Sequence, residues 1–380
     1  MTYDIYSLYK RLLVAAVIFT VMITGLTAAY MLFFHPETAV PQRYTGAAED
    51  ASGSESAYAP AGAEGAGALK PGANKAAESE VSVESVSEPV NELFLDGTST
   101  DTDYLWIPVA DGITGADIVI ENHYMEHQLW VAIDGGDSSY YKDNFISGDL
   151  SGVIRAEADD TPERLIIKFA MDKVYEYETI FEHGVLYVDT RLPRELYDRI
   201  VVIDPAGNVP AQLLTEGSAS PEVICQDIAS KVQSGLEDDG IRVYITSADG
   251  RLAADEDCLS LASDVRPDMY IRIETSYDED SKVYGTETVY NGTYFIPGFG
   301  SVELADLLEA NVTTYIGGKA VGLVAAGEND GVIAGATVPA ASVRVGYYTN
   351  SQENILLNRD DYRTRIAEGI LAAVREAYGE

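Results

Sequence analysis

Residues 199–208 read RIVVIDPAGN. Ile200, Val201, Val202 and Ile203 are all β-branched, and Pro205 and Gly207 follow at once. A short apolar run without alternation, closed by turn residues, is expected of a strand buried on both faces, as in a parallel sheet covered by helices. The turn from Asp204 to residue 208 would then lie at the carboxyl end of that strand. Open α/β sheets bind ligands there, but the same residues also make an ordinary strand-ending turn. The local pattern leaves both readings open.

Downstream the rhythm is strand, helix, strand. Residues 221–236 are helical in pattern, IRVYIT from Ile241 is a strand, residues 255–265 are helical, and MYIRIETSY from Met269 is a strand. Residues 301–312 are helical and ASVRVGYY from Ala341 is a strand. Residues 358–378 close the chain as a helix in which Tyr362, Ile366, Ile370 and Val374 recur every four residues behind an Asn358 cap. The alternation predicts an α/β domain with a mostly parallel sheet over residues 198–380.

Upstream, residues 93–197 have period two: YLWIPV, ADIVIE, QLWVAID, ERLIIKFA and GVLYVDT, separated by Gly-containing turns. This predicts a small all-β sandwich. Residues 35–92 are rich in Ala, Gly, Ser, Pro and Glu and read as a disordered acidic linker. Residues 12–34 are 23 uncharged, strongly apolar residues, about 34 Å as a helix and enough to cross a membrane. That length, and bulky residues after the only Ala pair, favour a transmembrane helix over a cleaved leader. Lys10 and Arg11 put residues 1–11 in the cytoplasm. The expected localisation is the cell membrane, single-pass, with the folded domains extracytoplasmic.

A net charge of −37, from 62 acids and 25 bases, excludes nucleic-acid binding by charge. Cys225 and Cys258 are the only cysteines, too few for a disulfide scaffold or a four-cysteine zinc site. They are read as small core residues, although an exported domain allows a pair. The four histidines are His35, His123, His127 and His183. His123, Glu126 and His127 spell H-x-x-E-H, but between two strands this is a polar hairpin turn rather than a zinc-binding helix.

In order, IVVIDPAGN, GIRVYITSADGRL, RPDMYIRIETSY, GTETVY, SVELADLLEANV and VPAASVRVGYYTN resemble successive segments of zinc-dependent N-acetylmuramoyl-L-alanine amidases. Those peptidoglycan amidases cut the bond between the muramic lactyl group and the first alanine of stem peptides. The preceding sandwich resembles the AMIN-type domains that often precede them and bind the wall or division machinery. The resemblance implies zinc ligands at Gly207, near Pro221 and Glu222, and at Glu274, and a catalytic glutamate at Arg344. Glycine offers no ligand, and a guanidinium stays protonated and cannot act as a base.

The reading is therefore a membrane-anchored cell-wall protein whose amidase-like domain has lost zinc and catalysis. No cofactor is expected. Asp204, Gly207, Glu222, Glu274 and Arg344 should line the degenerate pocket, with Glu274 and Arg344 within about 4 Å as an ion pair. The partner would be peptidoglycan or a wall, division or sporulation protein. The rival reading is an active hydrolase with carboxylate metal ligands drawn from Asp204, Glu216, Glu222, Glu274 and Asp278, which suit harder ions than zinc.

Overall fold

The computed structural model describes residues 91–97, 102–207, 209–247, 251–327 and 330–380. The expected transmembrane helix and nearly all of the linker lie outside them. Among the described residues no helix is long and apolar enough to cross a membrane.

The N-terminal part is a sandwich of two sheets. One is five-stranded in the order β1-β5-β2-β9-β8, the other four-stranded in the order β3-β4-β7-β6. These strands are β1 (Leu95–Asp96), β2 (Leu105–Pro108), β3 (Ile118–His123), β4 (Gln128–Asp134), β5 (Ile146–Gly148), β6 (Val153–Asp160), β7 (Arg164–Met171), β8 (Glu176–Glu182) and β9 (Val185–Arg191). Ile107, Val131, Ile167, Phe169 and Val188 fill the space between the sheets. The period-two pattern located β2, β3, β4, β7 and β9 and missed the short β1 and β5. It passed over β6 and β8, whose outward positions carry Arg155, Glu157, Asp159, Glu178 and Glu182. Both end their sheets, where charge discourages pairing with another chain, and residues 91–93 already bridge part of β6.

The short helix α1 (Pro193–Leu196) leads into the second part. Its sheet has the order β11-β10-β12-β15-β13-β14. Here β10 is Ile200–Ala206, β11 Arg242–Ile245, β12 Met269–Ser276, β13 Thr286–Tyr290, β14 Ala320–Ala325 and β15 Ala340–Tyr347. All neighbours are parallel except β13 and β15. The sheet is thus mixed and mostly parallel. On one face lie α2 (Pro221–Asp238), α4 (Ser301–Ile316) and α7 (Asp360–Ala377), and on the other α3 (Asp255–Val265) and α5 (Gly331–Gly335). Alternate residues of β10 feed the two cores: Val201 and Ile203 meet α2, and Ile200 and Val202 meet the α3 side. That is why RIVVID shows no alternation.

Two details differ from the expectations. Asn358 does not cap the closing helix. It ends α6 (Ser351–Leu357), its amide donating to the Asn354 carbonyl and its Oδ1 accepting from Ala219 N–H. The closing helix begins at Asp360. Cys225 and Cys258 are free, buried and in cores on opposite faces of the sheet, so they cannot pair.

The sandwich and the sheet form one compact unit. The β3–β4 turn, the H-x-x-E-H segment, makes part of the contact between them. Tyr124 Oη donates to the Ile245 carbonyl at 2.9 Å and accepts from Ile245 N–H at 3.1 Å. His127 sits 3.2 Å from Asp264 on α3. Glu176 of β8 binds Arg242 and Tyr244 of β11. His123 instead stacks on Trp130 and meets Glu121, so the two imidazoles have separate partners.

Candidate functional site

The carboxyl ends of β10, β12 and β15 lie side by side, with Ala206 opposite Glu274 and Glu274 opposite Arg344. Period two puts Asp204, Tyr270, Arg272, Glu274, Ser342 and Arg344 on the α3 face of these strands. This face packs apolar residues lower down and a polar layer at the strand ends.

Asp204 is buried. Its Oδ1 accepts from Thr246 Oγ1 at 2.6 Å and its Oδ2 from Tyr270 Oη at 2.7 Å. Arg272 Nε is 3.4 Å from the same Oδ2, and the guanidinium also reaches Asp255 at 3.4 Å. Burial opposes the charge of Arg272, but Asp204 and Glu274 outweigh it and hold the guanidinium above its ordinary value. Burial, then Asp204, pushes the Tyr270 phenol well up and the neighbouring Cys258 thiol up to about 12. Phenol and thiol stay protonated around one carboxylate.

Glu274, with only 3% of its side chain exposed, accepts from the Ser342 hydroxyl and lies 3.6 Å from Arg344 Nε. The other two nitrogens of Arg344 are also engaged, Nη1 with Glu287 at 2.6 Å and Nη2 with Asp330 at 2.7 Å. Burial disfavours the charge on Arg344. Glu274, Glu287 and Asp330 overcome this and raise its value. Nη1 and Nη2 are hydrogen-bonded to carboxylates and Nε lies near a third, so the guanidinium acts as a fixed cation among carboxylates.

Gly207 and Glu222 form a second pair beyond β10. A Cβ built on Gly207 would lie 2.4 Å from Glu222 Cγ, so the Glu222 side chain fills the space that any residue larger than glycine needs. Glu216 and Asp278 are exposed and outside both groups. The structure thus connects Asp204, Glu274 and Arg344 through Arg272, and puts Gly207 against Glu222. It does not gather the five carboxylates of the rival reading. Among the described residues no group of His, Cys, Asp or Glu could hold a metal ion.

A zinc ion does not fit the residues present. Gly207 supplies no donor, Glu274 already accepts from Ser342, and a guanidinium stands beside it where a second cation would be repelled.

Sequence reasoning missed Arg272, Ser342, Glu287 and Asp330. The first two were legible: each lies two residues before a singled-out position, on the same strand and face. Asp330 precedes the short helix α5, in a loop with no periodic signal.

The sequence profile described as N-acetylmuramoyl-L-alanine amidase matches residues 201–376. N-acetylmuramoyl-L-alanine amidase CwlM of Mycobacterium tuberculosis is 25% identical over 193 residues, covering 48% of this chain and 46% of that protein. N-acetylmuramoyl-L-alanine amidase LytC of Bacillus subtilis is 23% identical over 188 residues, covering 48% and 37%. The match therefore spans less than half the length of these curated relatives. Among solved structures, the catalytic domain of the amidase CwlV from Bacillus (Paenibacillus) polymyxa var. colistinus superposes with a TM-score of 0.43 at 23% identity, over 48% of this chain and 98% of that one. The amidase AmiC2 of Nostoc punctiforme gives 0.43 at 20% identity, over 48% and 98%.

Proposed function

Because residues 201–376 form a domain of the N-acetylmuramoyl-L-alanine amidase family, we propose that this protein works at the cell wall as a non-catalytic pseudo-amidase. It holds peptidoglycan, or a protein of a wall, division or sporulation assembly, without cutting the wall. Residues 12–34 anchor it in the membrane with the N-terminus inside, and the folded part faces outward. The AMIN-like sandwich supplies a second wall- or partner-binding face on the same unit.

The observation that carries this reading is the environment of Arg344. It stands where the family resemblance places a catalytic glutamate, and its guanidinium neutralises carboxylates that a metal would otherwise face. Hydrolysis through a metal-bound water needs an open ligand position and a carboxylate free to take the proton. Glu274 accepts from a hydroxyl and lies beside the Arg344 cation, and Glu287 and Asp330 are paired to that same cation.

The test is a pair of measurements on the purified full chain. Sedimentation with insoluble peptidoglycan should carry the protein down, and the supernatant should contain no released stem peptides, with or without added Zn²⁺, Mg²⁺ or Mn²⁺. Metal-dependent release would overturn the proposal in favour of the carboxylate-ligand hydrolase. Failure to sediment together with no release would move the binding role from the wall to a protein partner.

A further inference from the structure

Among the described residues six strands end a sheet, and five are blocked or short. Strand β6 is bridged by residues 91–93 and carries Arg155, Glu157, Asp159 and Asp160, and β8 carries Glu176, Glu178 and Glu182. Strand β3 carries Glu121 and His123, β1 is two residues long, and β11 is engaged by Glu176 and Tyr124 of the sandwich. The sixth edge, β14, reads AVGLVA. It has no charged side chain, and Val321 and Val324 are 41% and 43% exposed. None of the usual devices against strand addition is present over its second half.

The first half is bent. Val321 is an extra residue in the ladder, since Thr286 pairs with Ala320 and Glu287 with Gly322. Gly322 has φ +129°, and its N–H donates to Glu309 of α4 at 2.7 Å. From Gly322 to Ala325 the register with β13 is regular. Ala326 N–H bonds the Tyr290 carbonyl, so by alternation Leu323 and Ala325 turn their N–H and C=O groups away from β13.

We propose that β14 is a self-association edge. Two copies of this chain join antiparallel through β14 and merge their six-stranded sheets into one. The segment is self-complementary about a twofold axis at Val324. Leu323 exchanges both backbone bonds with Ala325 of the second copy, and Val324 faces its own equivalent as a non-hydrogen-bonded pair. A second copy is favoured by what it places opposite the edge, small apolar side chains and no charge on either strand. The charge that remains is repulsive. Glu309 lies over β14, and each copy carries a net −37. The association must therefore strengthen as salt screens the two acidic bodies, the reverse of an interface held by ion pairs.

The test is disulfide trapping on the full chain in detergent. Val324→Cys puts one accessible thiol at the axis, because Cys225 and Cys258 are buried. Mild oxidation should give a dimer on a non-reducing gel, with a larger dimer fraction at high salt. Ile154→Cys, on the charged edge β6, should stay monomeric. Adding Ala325→Pro removes an N–H that β13 does not use, and adding Ala325→Lys puts a charge opposite the apolar Leu323 of the second copy; each should abolish the Val324→Cys dimer. Monomeric Val324→Cys, an equal dimer from Ile154→Cys, a dimer surviving both Ala325 changes, or capture of a different protein would each overturn the proposal.

Discussion

Replacing Arg344 by alanine leaves Glu274, Glu287 and Asp330 facing one another without their common cation. Removing one partner of a buried pair costs roughly 3–5 kcal/mol, because the remaining charge is stranded. The Arg344 side chain keeps 22% exposure, so water takes up part of the loss. The expected destabilisation is therefore near the lower end, about 3 kcal/mol. For a unit of this size that lowers the melting temperature by roughly 6–10 °C. The assay is urea unfolding of residues 91–380 followed by tryptophan fluorescence, with the slope checked for constancy. Double-mutant cycles then apportion the loss. The contacts at 2.6 and 2.7 Å predict that Arg344 couples more strongly to Glu287 and Asp330 than to Glu274, at 3.6 Å. Glu274→Gln on the Arg344→Ala background should restore about 1 kcal/mol, and Glu287→Gln more. A loss below about 1 kcal/mol for Arg344→Ala would refute the view that this cation holds the strand ends together.

Glu176→Gln weakens the clamp on Arg242 and Tyr244 and should destabilise by about 2 kcal/mol; hydrogen exchange should rise in β8 and β11, and protection unchanged there would contradict the clamp. Gly285 has φ +122°, and a Cβ there would lie 2.6 Å from the Lys319 carbonyl oxygen; Gly285→Ala should cost about 2 kcal/mol or more in the same unfolding assay, and a neutral result would contradict that strain. Burial opposes ionisation of Asp227, but Arg363 and Lys231 outweigh it and hold its carboxyl below the usual value. Its contribution is thus present above the unfolded-chain value of about 3.9 and is lost as pH falls through the folded value. In carbon-detected NMR titration Arg363→Gln should move the Asp227 midpoint upward; an unmoved midpoint would show that Arg363 does not set it.

Much of the architecture was legible because it rests on local periodicity. The two-sided burial of RIVVID, the helical spacing of Tyr362, Ile366, Ile370 and Val374, and the alternation of QLWVAID each follow from which faces meet a core. The edge strands β6, β8 and β14 and the inner strand β13 were not legible. Edge strands are partnered on one side only and are shaped by solvent as much as by the core, and β13 and β14 are short. At the site, the histidine count and the identities at Gly207 and Arg344 followed from residue types alone, since glycine has no donor and guanidinium does not deprotonate. Only the tertiary structure could bring Asp330 and Glu287 to Arg344. They lie 14 and 57 residues away in sequence, and the meeting depends on β13 running antiparallel beside β15 and on α5 folding over the strand ends. Register and loop path are collective properties of the packed sheet. They decide which charges meet, and a linear pattern carries no record of them.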